Sequence, residues 1–467
     1  MARMYYQLPE PEPVRHVRHD RPAVAIGNAS LLGVGYLMLG RRAWAVATAL
    51  VTIGLVVLLG TVVPGVWFEV LFLVWWAALI AHGWYLAGKP SRAAAVRRPR
   101  LLALLMAVPV VAAVGYVRFD AARVEDSIVE ARDGGDCGKA RSALDRIWLG
   151  HTIVDGPMTV RSERTAQACD RLAKTKETLE IAASRRDPDG LRSSYHELAA
   201  VLTDLPGHDK MVGTVLDGFL GSLSGRAPCD LAELTDWLRK RPASRNLLDR
   251  SADVVPKIAP AALAGCAEKM AAAADWNGAK GRYQQLLDQY PGHALAAKAQ
   301  EGVTQATRQL ELSRLATLGS NYCTTPATYS GAAPYAKGTT NRAVVHHPDK
   351  SATPQIEKLP AEWKADNTQA VMVVCIGAKE FGAAVRTCRY RSLSDSRIQN
   401  VTFNKMAFTV KAYELRTGNV VIDTRVEVGG ATCPQLITGF EGSVLSDKYV
   451  EPSDADIRTA FAPIFTS

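Results

Sequence analysis

The sequence predicts a multi-domain protein with an N-terminal transmembrane α-helical bundle, an α-helical repeat-like ectodomain and a small C-terminal α+β domain with antiparallel hairpins. Residues 23–117 are overwhelmingly apolar, whereas the rest of the chain has the composition of a water-soluble protein. Within that second part, apolar residues first recur at every third or fourth position and later at every second position. A chain of 467 residues is also longer than one hydrophobic core usually serves.

Three apolar stretches, 43–63, 66–86 and 101–117, are long enough to cross a bilayer. At about 1.5 Å per helical residue, each approaches the ~30 Å thickness of the hydrocarbon layer. A fourth stretch, 23–39, is shorter and interrupted by glycines. It either spans the membrane, re-enters it or lies in the interface, and the sequence leaves these alternatives open. Residues 1–22 form a basic tail, so the predicted membrane region is 23–117.

The distribution of charge predicts the orientation of these helices. Residues 1–117 hold eleven Lys/Arg and four Asp/Glu, a balance of +7 out of the total of +9. Five of those positive charges lie in the link Gly88–Arg100, and none lies in Gly60–Gly65. Because positive loops stay in the cytosol, we expect the tail and Gly88–Arg100 inside and residues 118–467 outside the cell membrane. The excess of basic residues is then expected to attract the headgroups of membrane lipid, and nucleic acid is not an expected partner.

Cysteine usage agrees with export, since all eight cysteines follow the last apolar stretch and none forms a C-x-x-C pair. Proximity in the chain predicts two disulfides within helical hairpins, and symmetry about a turn at Phe381-Gly382 predicts a third. The fourth follows by elimination. The predicted pairs are Cys137–Cys169, Cys229–Cys266, Cys375–Cys388 and Cys323–Cys433.

Residues 118–319 are rich in Ala, Leu, Arg and Glu at helical spacing, which predicts stacked helices. Residues 275–291 resemble the second helix of a tetratricopeptide repeat. The residues that carry this resemblance are a small residue, an aromatic residue four positions later, a leucine and a closing proline: Ala279, Tyr283, Leu287 and Pro291. Two weaker matches to the same repeat pattern lead to Leu144 and Tyr195. Their spacing is irregular, so an ordinary helical bundle remains the alternative. The aromatic side chains of this unit, Trp276, Tyr283 and Tyr290, are expected in helix packing.

Residues 320–360 have no sustained period and predict a linker or an extended strip lying on a domain. The alternation of 406–412 and 420–428 around Arg416-Thr-Gly-Asn predicts a β-hairpin within an α+β domain at 361–467. A second hairpin is predicted from 371–376 and 384–390. The chain closes with a short helix that Ser453 caps and whose apolar face precedes Pro463.

Candidate chemistry is sparse, and we predict no catalytic residue, no metal and no cofactor. His346-His347 with Asp349 is the one dense run of titratable groups, but neighbouring imidazoles in an irregular segment cannot easily reach one ion. Gly221-Ser-Leu-Ser-Gly225 has Leu where a nucleophile would stand. Glu69 and His82, in the second apolar stretch, are about 20 Å apart along a helix, too far for a proton pathway.

These observations favour a membrane-anchored extracytoplasmic protein that binds or scaffolds a protein or peptide partner through stacked helical hairpins. The alternatives are an envelope hydrolase or transferase with a site in the C-terminal domain, and a transport or signalling subunit. The layout resembles that of actinobacterial membrane-anchored proteins, a resemblance that implies no particular activity. The sequence leaves the ligand, the biological process and the oligomeric state open.

Overall fold

A computed structural model describes residues 20–61, 66–88, 97–392, 397–438 and 446–466. These residues are mostly helical, with one mixed six-stranded sheet near the C-terminus. The described helices are α1 (Arg21–Ala29), α2 (Val34–Met38), α3 (Arg42–Thr61), α4 (Val66–Leu86), α5 (Arg97–Asp133), α6 (Cys137–Leu144), α7 (Leu149–Val154), α8 (Gly156–Arg185), α9 (Pro188–Asp204), α10 (Asp209–Ser222), α11 (Pro228–Lys240), α12 (Ser251–Ala272), α13 (Trp276–Gln289), α14 (Ala296–Leu318), α15 (Thr353–Glu357) and α16 (Asp454–Thr466). The strands are β1 (Ala343–His346), β2 (Met372–Ile376), β3 (Glu380–Arg391), β4 (Ile398–Glu414), β5 (Val420–Val428) and β6 (Asp447–Tyr449).

The chain divides into two compact units. The first contains residues 1–226 and 233–257, and the second contains residues 227–232 and 258–467. The predicted domain boundaries at 118 and 361 fall inside these units. The first unit therefore joins the apolar helices to the first helical hairpins, and the second joins the repeat-like helices to the sheet.

The stretch 23–39 forms a hairpin of two short helices, α1 with nine residues and α2 with five. Neither is long enough to cross a bilayer. Contacts with α4 show that the chain turns back: the Asn28 side chain donates to the Leu79 carbonyl at 3.0 Å, whereas the later Tyr36 hydroxyl bonds to His82 at 2.8 Å. Close approach of the two arms requires Gly27, since a Cβ there would lie 2.8 Å from the backbone of Gly35. The stretch 23–39 thus consists of two short helices rather than one continuous helix.

One described helix, from Pro99 to Asp133 within α5, is long and apolar enough to cross a membrane. Arg42–Leu58 and Val70–Leu86 are shorter apolar helices. Residues 1–19 of the predicted tail, residues 62–65 and most of the basic loop, 89–96, lie outside the described residues. The structure therefore supplies one candidate span, and a bundle of three spans remains a proposal.

Beyond the apolar helices, α5 continues into the helical region without a break. Its Val124 and Ile128 pack with Ala143 of α6 and Met158 of α8. Aspartates begin the following helices: Asp136 accepts a hydrogen bond from the Lys139 amide at 2.9 Å, and side chains of the same type cap α8, α9 and α13. Such caps satisfy amides that have no partner within the helix.

In the second unit, α13 lies against α14, and Ala279 and Tyr283 are buried. The Tyr283 ring occupies the space that a side chain at Gly302 would need, since a Cβ there would lie 2.4 Å from a ring carbon. Leu287 is half-buried, and Pro291 follows the end of the helix at Gln289. Trp276 and Tyr290 are also half-buried.

The sheet is organised around the 17-residue strand β4. β2 pairs with residues 410–414 of β4 and β3 with residues 398–407, so β2 and β3 lie end to end along one edge. β5 pairs antiparallel with residues 406–413 of β4, which confirms the hairpin predicted around residues 416–419. β1 and β6 add parallel pairings to β2 and β4.

The second predicted hairpin is wrong. Phe381-Gly382, the predicted turn, lies inside β3, and β2 pairs with β1 and β4 but not with β3. Residues 377–379 continue along β4 rather than reverse the chain. The apolar run of β2 reflects burial on both faces, since its alternate residues face two separate hydrophobic clusters.

The predicted linker 320–360 belongs largely to the C-terminal fold. Its residues 343–346 are strand β1, and its Tyr322 and Tyr329 are buried against Leu415. The last helix, α16, begins as predicted: the Asp456 amide donates to Ser453 Oγ at 3.2 Å, and the Ser453 amide donates to the Asp456 carboxylate at 2.8 Å. This helix continues through Pro463 to Thr466, and it buries Phe461 and Phe465 on the sheet.

All eight cysteines are paired. Cys137–Cys169 and Cys229–Cys266 are confirmed, with Cα atoms 5.5 and 4.5 Å apart. The other two predicted pairs, Cys375–Cys388 and Cys323–Cys433, are wrong, because the partners are exchanged to Cys323–Cys375 and Cys388–Cys433. The reason is the topology of the sheet: Cys375 on β2 lies opposite Lys411 of β4, and Cys388 on β3 lies opposite Val401. The two cysteines are therefore about 33 Å apart along β4 instead of facing each other.

Removal of the Cys323–Cys375 bond by a Cys323→Ser, Cys375→Ser double substitution is expected to destabilise the second unit. The bond closes a loop across 52 positions, which corresponds to about 4 kcal/mol in the chain-entropy account. Denaturant unfolding measures this loss, and peptide mapping without reductant identifies the pairs. Recovery of a peptide that joins Cys323 to Cys433 would contradict the observed connectivity.

A cationic aromatic cleft between two helices

A cleft of about 310 Å³ lies between α9 and the end of α11. α9 supplies Arg192 and Tyr195, and α11 supplies Trp237 and Lys240; Arg241 and Pro242 follow directly. The three-residue spacing of Arg192–Tyr195 and of Trp237–Lys240 brings each pair to one face of its helix. The lining thus contains two aromatic rings and three cationic side chains, and none of the described residues that line it carries a carboxylate.

The floor of the cleft is aromatic. The Tyr195 ring meets Trp237 at 5.4 Å between centroids and Phe219 at 6.5 Å, both edge to face. Tyr195 is almost completely buried, whereas Trp237 is half-buried and keeps part of its ring accessible. Rings in such arrangements stabilise one another, and an accessible indole beside a fixed ring is a common anchor for a binding partner.

Arg241 is held in place by the loop that follows α11. Its guanidinium lies 4.9 Å from the centre of the Tyr195 ring, donates to the Asp249 carboxylate at 2.9 Å and donates to the Leu248 carbonyl at 2.9 Å. Asp249 in turn accepts hydrogen bonds from the Ser244 and Arg245 amides at 2.9 and 2.8 Å. The Ser244 amide, together with Arg241 and the Arg245 amide, lowers the pKa of Asp249 below its ordinary value. The carboxylate is therefore ionised at neutral pH, and it fixes the arginine over the ring.

Two buried polar groups at the cleft lack a hydrogen bond within the described part of the chain. The Tyr195 hydroxyl lies near the Ser251 hydroxyl but makes no bond of normal geometry, and the Arg241 Nε–H has no acceptor. Burial raises the pKa of Tyr195, so its hydroxyl stays protonated and able to donate. Both groups are donors. Since unsatisfied buried donors are costly, they favour an acceptor brought by a ligand.

The exposed cations at the rim add to this preference. Arg192 and Lys240 pair with Asp189 and Asp236 on their own helices, at 2.8 and 2.6 Å. Such exposed pairs within one helix are weak, so either cation can turn to an incoming carboxylate or phosphate at little cost. An apolar floor, inner donors and a cationic rim together suit an acidic segment that carries an aromatic or aliphatic side chain.

Other clefts have less selective linings. One, about 860 Å³ between α5 and α6, mixes both charges, with Glu130 and Asp136 beside Lys139 and Arg146. A cleft on α14, about 450 Å³, is lined by three glutamines together with Glu301, Arg308 and Tyr329. A third, about 440 Å³, lies where α10 approaches Arg250 and carries both signs of charge. None of these three contains two aromatic rings.

The histidine pair lines none of these clefts. His346 lies at the end of β1, stacked on Tyr322 at 6.3 Å, and burial followed by the neighbouring His347 lowers the pKa of its imidazole. His347 is half-buried, with its Nδ1 unbonded to any described residue, and Asp349 accepts a hydrogen bond from the Ser351 amide at 2.7 Å. The histidines are therefore half-buried, and they lie outside the four clefts described above. Among the described residues, no group of three or more His, Cys, Asp or Glu is placed to hold a metal.

The polar residues of the second apolar stretch are not brought together either. His82 bonds to Tyr36 and lies 5.4 Å from the Trp44 ring, while the side chain of Glu69 lies outside the described residues. The serines of Gly221–Gly225 bond to carbonyls of the preceding helix turn, Ser222 to Phe219 and Ser224 to Gly221.

No protein-family model, no curated protein and no solved structure matches this chain. Evidence for its function therefore comes from its own geometry.

Replacement Asp249→Asn is expected to loosen the loop that holds Arg241. A group whose folded pKa is lowered stabilises the fold above its unfolded pKa, and this stabilisation is lost as the pH falls through the folded value. At neutral pH the Asn variant should lower the free energy of local unfolding of this loop by about 1 kcal/mol, so the Ser244 and Arg245 amides should exchange with solvent about fivefold faster.

Asp189→Asn is the matched control, because that exposed carboxylate pairs only with Arg192 on the same helix turn. Hydrogen exchange measured by mass spectrometry compares the two variants. Unchanged protection of residues 244–245 in Asp249→Asn would show that the carboxylate does not organise this loop.

Proposed function

We propose that this chain is a multi-pass membrane protein whose extracytoplasmic helical region binds an acidic protein or peptide segment in the cleft of Tyr195, Trp237 and Arg241. The composition of that cleft is the observation that carries the binding function. The apolar helices support the membrane anchor and its orientation.

The surfaces of α3, α4 and α5 support insertion of all three helices. Large apolar side chains cover them and are exposed, a condition that water-soluble proteins avoid over so large an area. On α5 alone the exposed set is Leu101, Leu102, Leu104, Leu105, Met106, Val108, Val111, Val114, Tyr116 and Phe119. Bilayer hydrocarbon is the solvent that matches such a surface.

Aromatic side chains mark both ends of these helices. At one end, Trp44 begins α3, and Trp84 and Tyr85 close α4; at the other, Trp67 begins α4 and Tyr116 follows the apolar part of α5. Trp67 and Tyr85 are separated by 18 positions, about 27 Å of helix, close to the thickness of the hydrocarbon layer. Tyrosine and tryptophan favour the interface at both ends of a span.

The charges near the helix ends that carry Trp44, Trp84 and Tyr85 support a cytosolic position for those ends. Asp20 pairs with Arg100, and the Arg21 side chain donates to the Gly88 carbonyl, so the start of α1 lies beside the two described ends of the basic link. Because the hairpin of α1 and α2 turns back to the level of His82, the N-terminal tail and Arg41-Arg42 belong on the same side. Four disulfides in the remaining chain fit the opposite, oxidising side.

Binding is tested with fluorescent short peptides that contain one tyrosine and either Glu or Gln at the flanking positions. Arg192→Gln with Lys240→Gln should lower the affinity of the full chain for the Glu peptide about tenfold, or about 1.4 kcal/mol, since two charge contacts are lost. The Gln peptide should be unaffected by this change. Trp237→Ala should weaken both peptides, because it removes the apolar anchor.

Lys174→Gln with Lys176→Gln is the matched control, since it removes the same charge from an exposed stretch of α8. If both charge variants weaken the Glu peptide equally, long-range attraction and not the cleft is responsible. Equal affinity of the unmodified chain for Glu and Gln peptides, or no binding of either, contradicts the proposal.

Orientation is tested by cysteine accessibility in intact cells. A membrane-impermeant thiol reagent should label Lys337→Cys, which is exposed in the second unit, and should not label Ala94→Cys in the basic loop. The expected reason is that residues 118–467 face outward and the basic loop faces inward. Labelling of Ala94→Cys without Lys337→Cys would reverse the orientation.

A further inference from the structure

The segment that joins α6 to α8 presents two large apolar side chains to solvent. Trp148 and Leu149 are 56% and 64% exposed, whereas the preceding Ile147 packs into the core of Val124, Ile128 and Met158. The Trp148 ring covers Gly150 and lies 5.6 Å from the His151 ring. Trp148 and Leu149 are therefore held by packing within the segment.

This segment is attached to α5 where the apolar surface of that helix ends. Buried His151 bonds to Asp120 at 3.0 Å, and Arg118 donates to the Val154 carbonyl at 3.3 Å. The neighbouring turn of α5 carries exposed Tyr116 and Phe119. α7 also contacts α3, so it lies beside two of the apolar helices. Trp148 and Leu149 therefore belong to a segment that is attached to α5 next to its exposed apolar side chains.

We propose that Trp148 and Leu149 dip into the headgroup and acyl boundary of the outer leaflet, where they hold the helical region at a fixed orientation to the bilayer. Tryptophan favours this boundary, and an adjacent leucine adds buried apolar area. Arg123, whose guanidinium lies 4.6 Å from the Phe119 ring, is placed to direct its charge toward lipid headgroups. This inference rests on the proposed membrane insertion of α5 and is independent of peptide binding.

Lipid contact is tested with the photo-crosslinking residue p-benzoylphenylalanine in the full chain, reconstituted in nanodiscs of phosphatidylethanolamine and phosphatidylglycerol. It replaces Leu149 in one protein, Leu105 of α5 in a second and Ile181 of α8 in a third. Ile181 is the matched control, an exposed apolar side chain of the same unit at 43% exposure. After irradiation, mass spectrometry measures lipid adducts.

The expected result is lipid adducts at positions 149 and 105, and none above background at 181. Adducts at 105 without adducts at 149 would overturn the inference while leaving the anchor intact. Absence of adducts at 105 would instead overturn the proposed anchor, and the inference with it. Crosslinking of position 149 to a second protein chain would assign the surface to a protein partner and would also overturn lipid contact. Formation of Cys137–Cys169 in each variant verifies the fold next to the segment.

Discussion

The continuity of α5 is the constraint on which the first unit depends. Its first half carries exposed Leu and Val side chains, and its second half buries Ala121, Val124, Ile128 and Ala131 against the helical region. Because α5 belongs both to the apolar part and to the helical region, the apolar part and the first helical hairpins cannot move as separate bodies without breaking backbone hydrogen bonds. The attachment of α7 to α5 through His151 and Arg118 strengthens this coupling at the point where the exposed apolar surface of α5 ends.

Many buried positions of the helical parts hold alanine, which adds to the importance of the disulfides. Ala140, Ala168, Ala182 and Ala267 are buried, and each removes little apolar area from water. Disulfides between neighbouring helices restrict the unfolded chain and offset that deficit. Tyr195 differs from these alanines, since a large ring with an unsatisfied hydroxyl and a cation above it is a poor choice for packing alone. That contrast is the basis of the proposal that the cleft is a binding surface.

Local features of the fold could be predicted from the sequence, whereas non-local ones could not. The Ser453 cap and the hairpin of β4 and β5 depend on residues a few positions apart, and the sequence pattern contains them. The pairing of β2 and β3 depends on β4, which follows both in the chain, so the symmetric cysteines about Phe381 suggest a turn that does not exist. The cleft is hidden from sequence reasoning for the same reason. Tyr195 stands out in the sequence only as a faint repeat echo, and Trp237 lies 42 positions later, with no spacing rule to connect them.

Hydrogen exchange across residues 112–124 of the full chain in nanodiscs tests the central claim most directly. A single helix that runs from the bilayer into the helical region predicts slow exchange throughout this stretch, with no gap between Tyr116 and Asp120. Rapid exchange of the amides at 116–120, between protected flanks, would show that the helix is interrupted at the membrane surface. The anchor and the helical region would then be joined by a flexible link, which contradicts a rigid coupling of the two through α5.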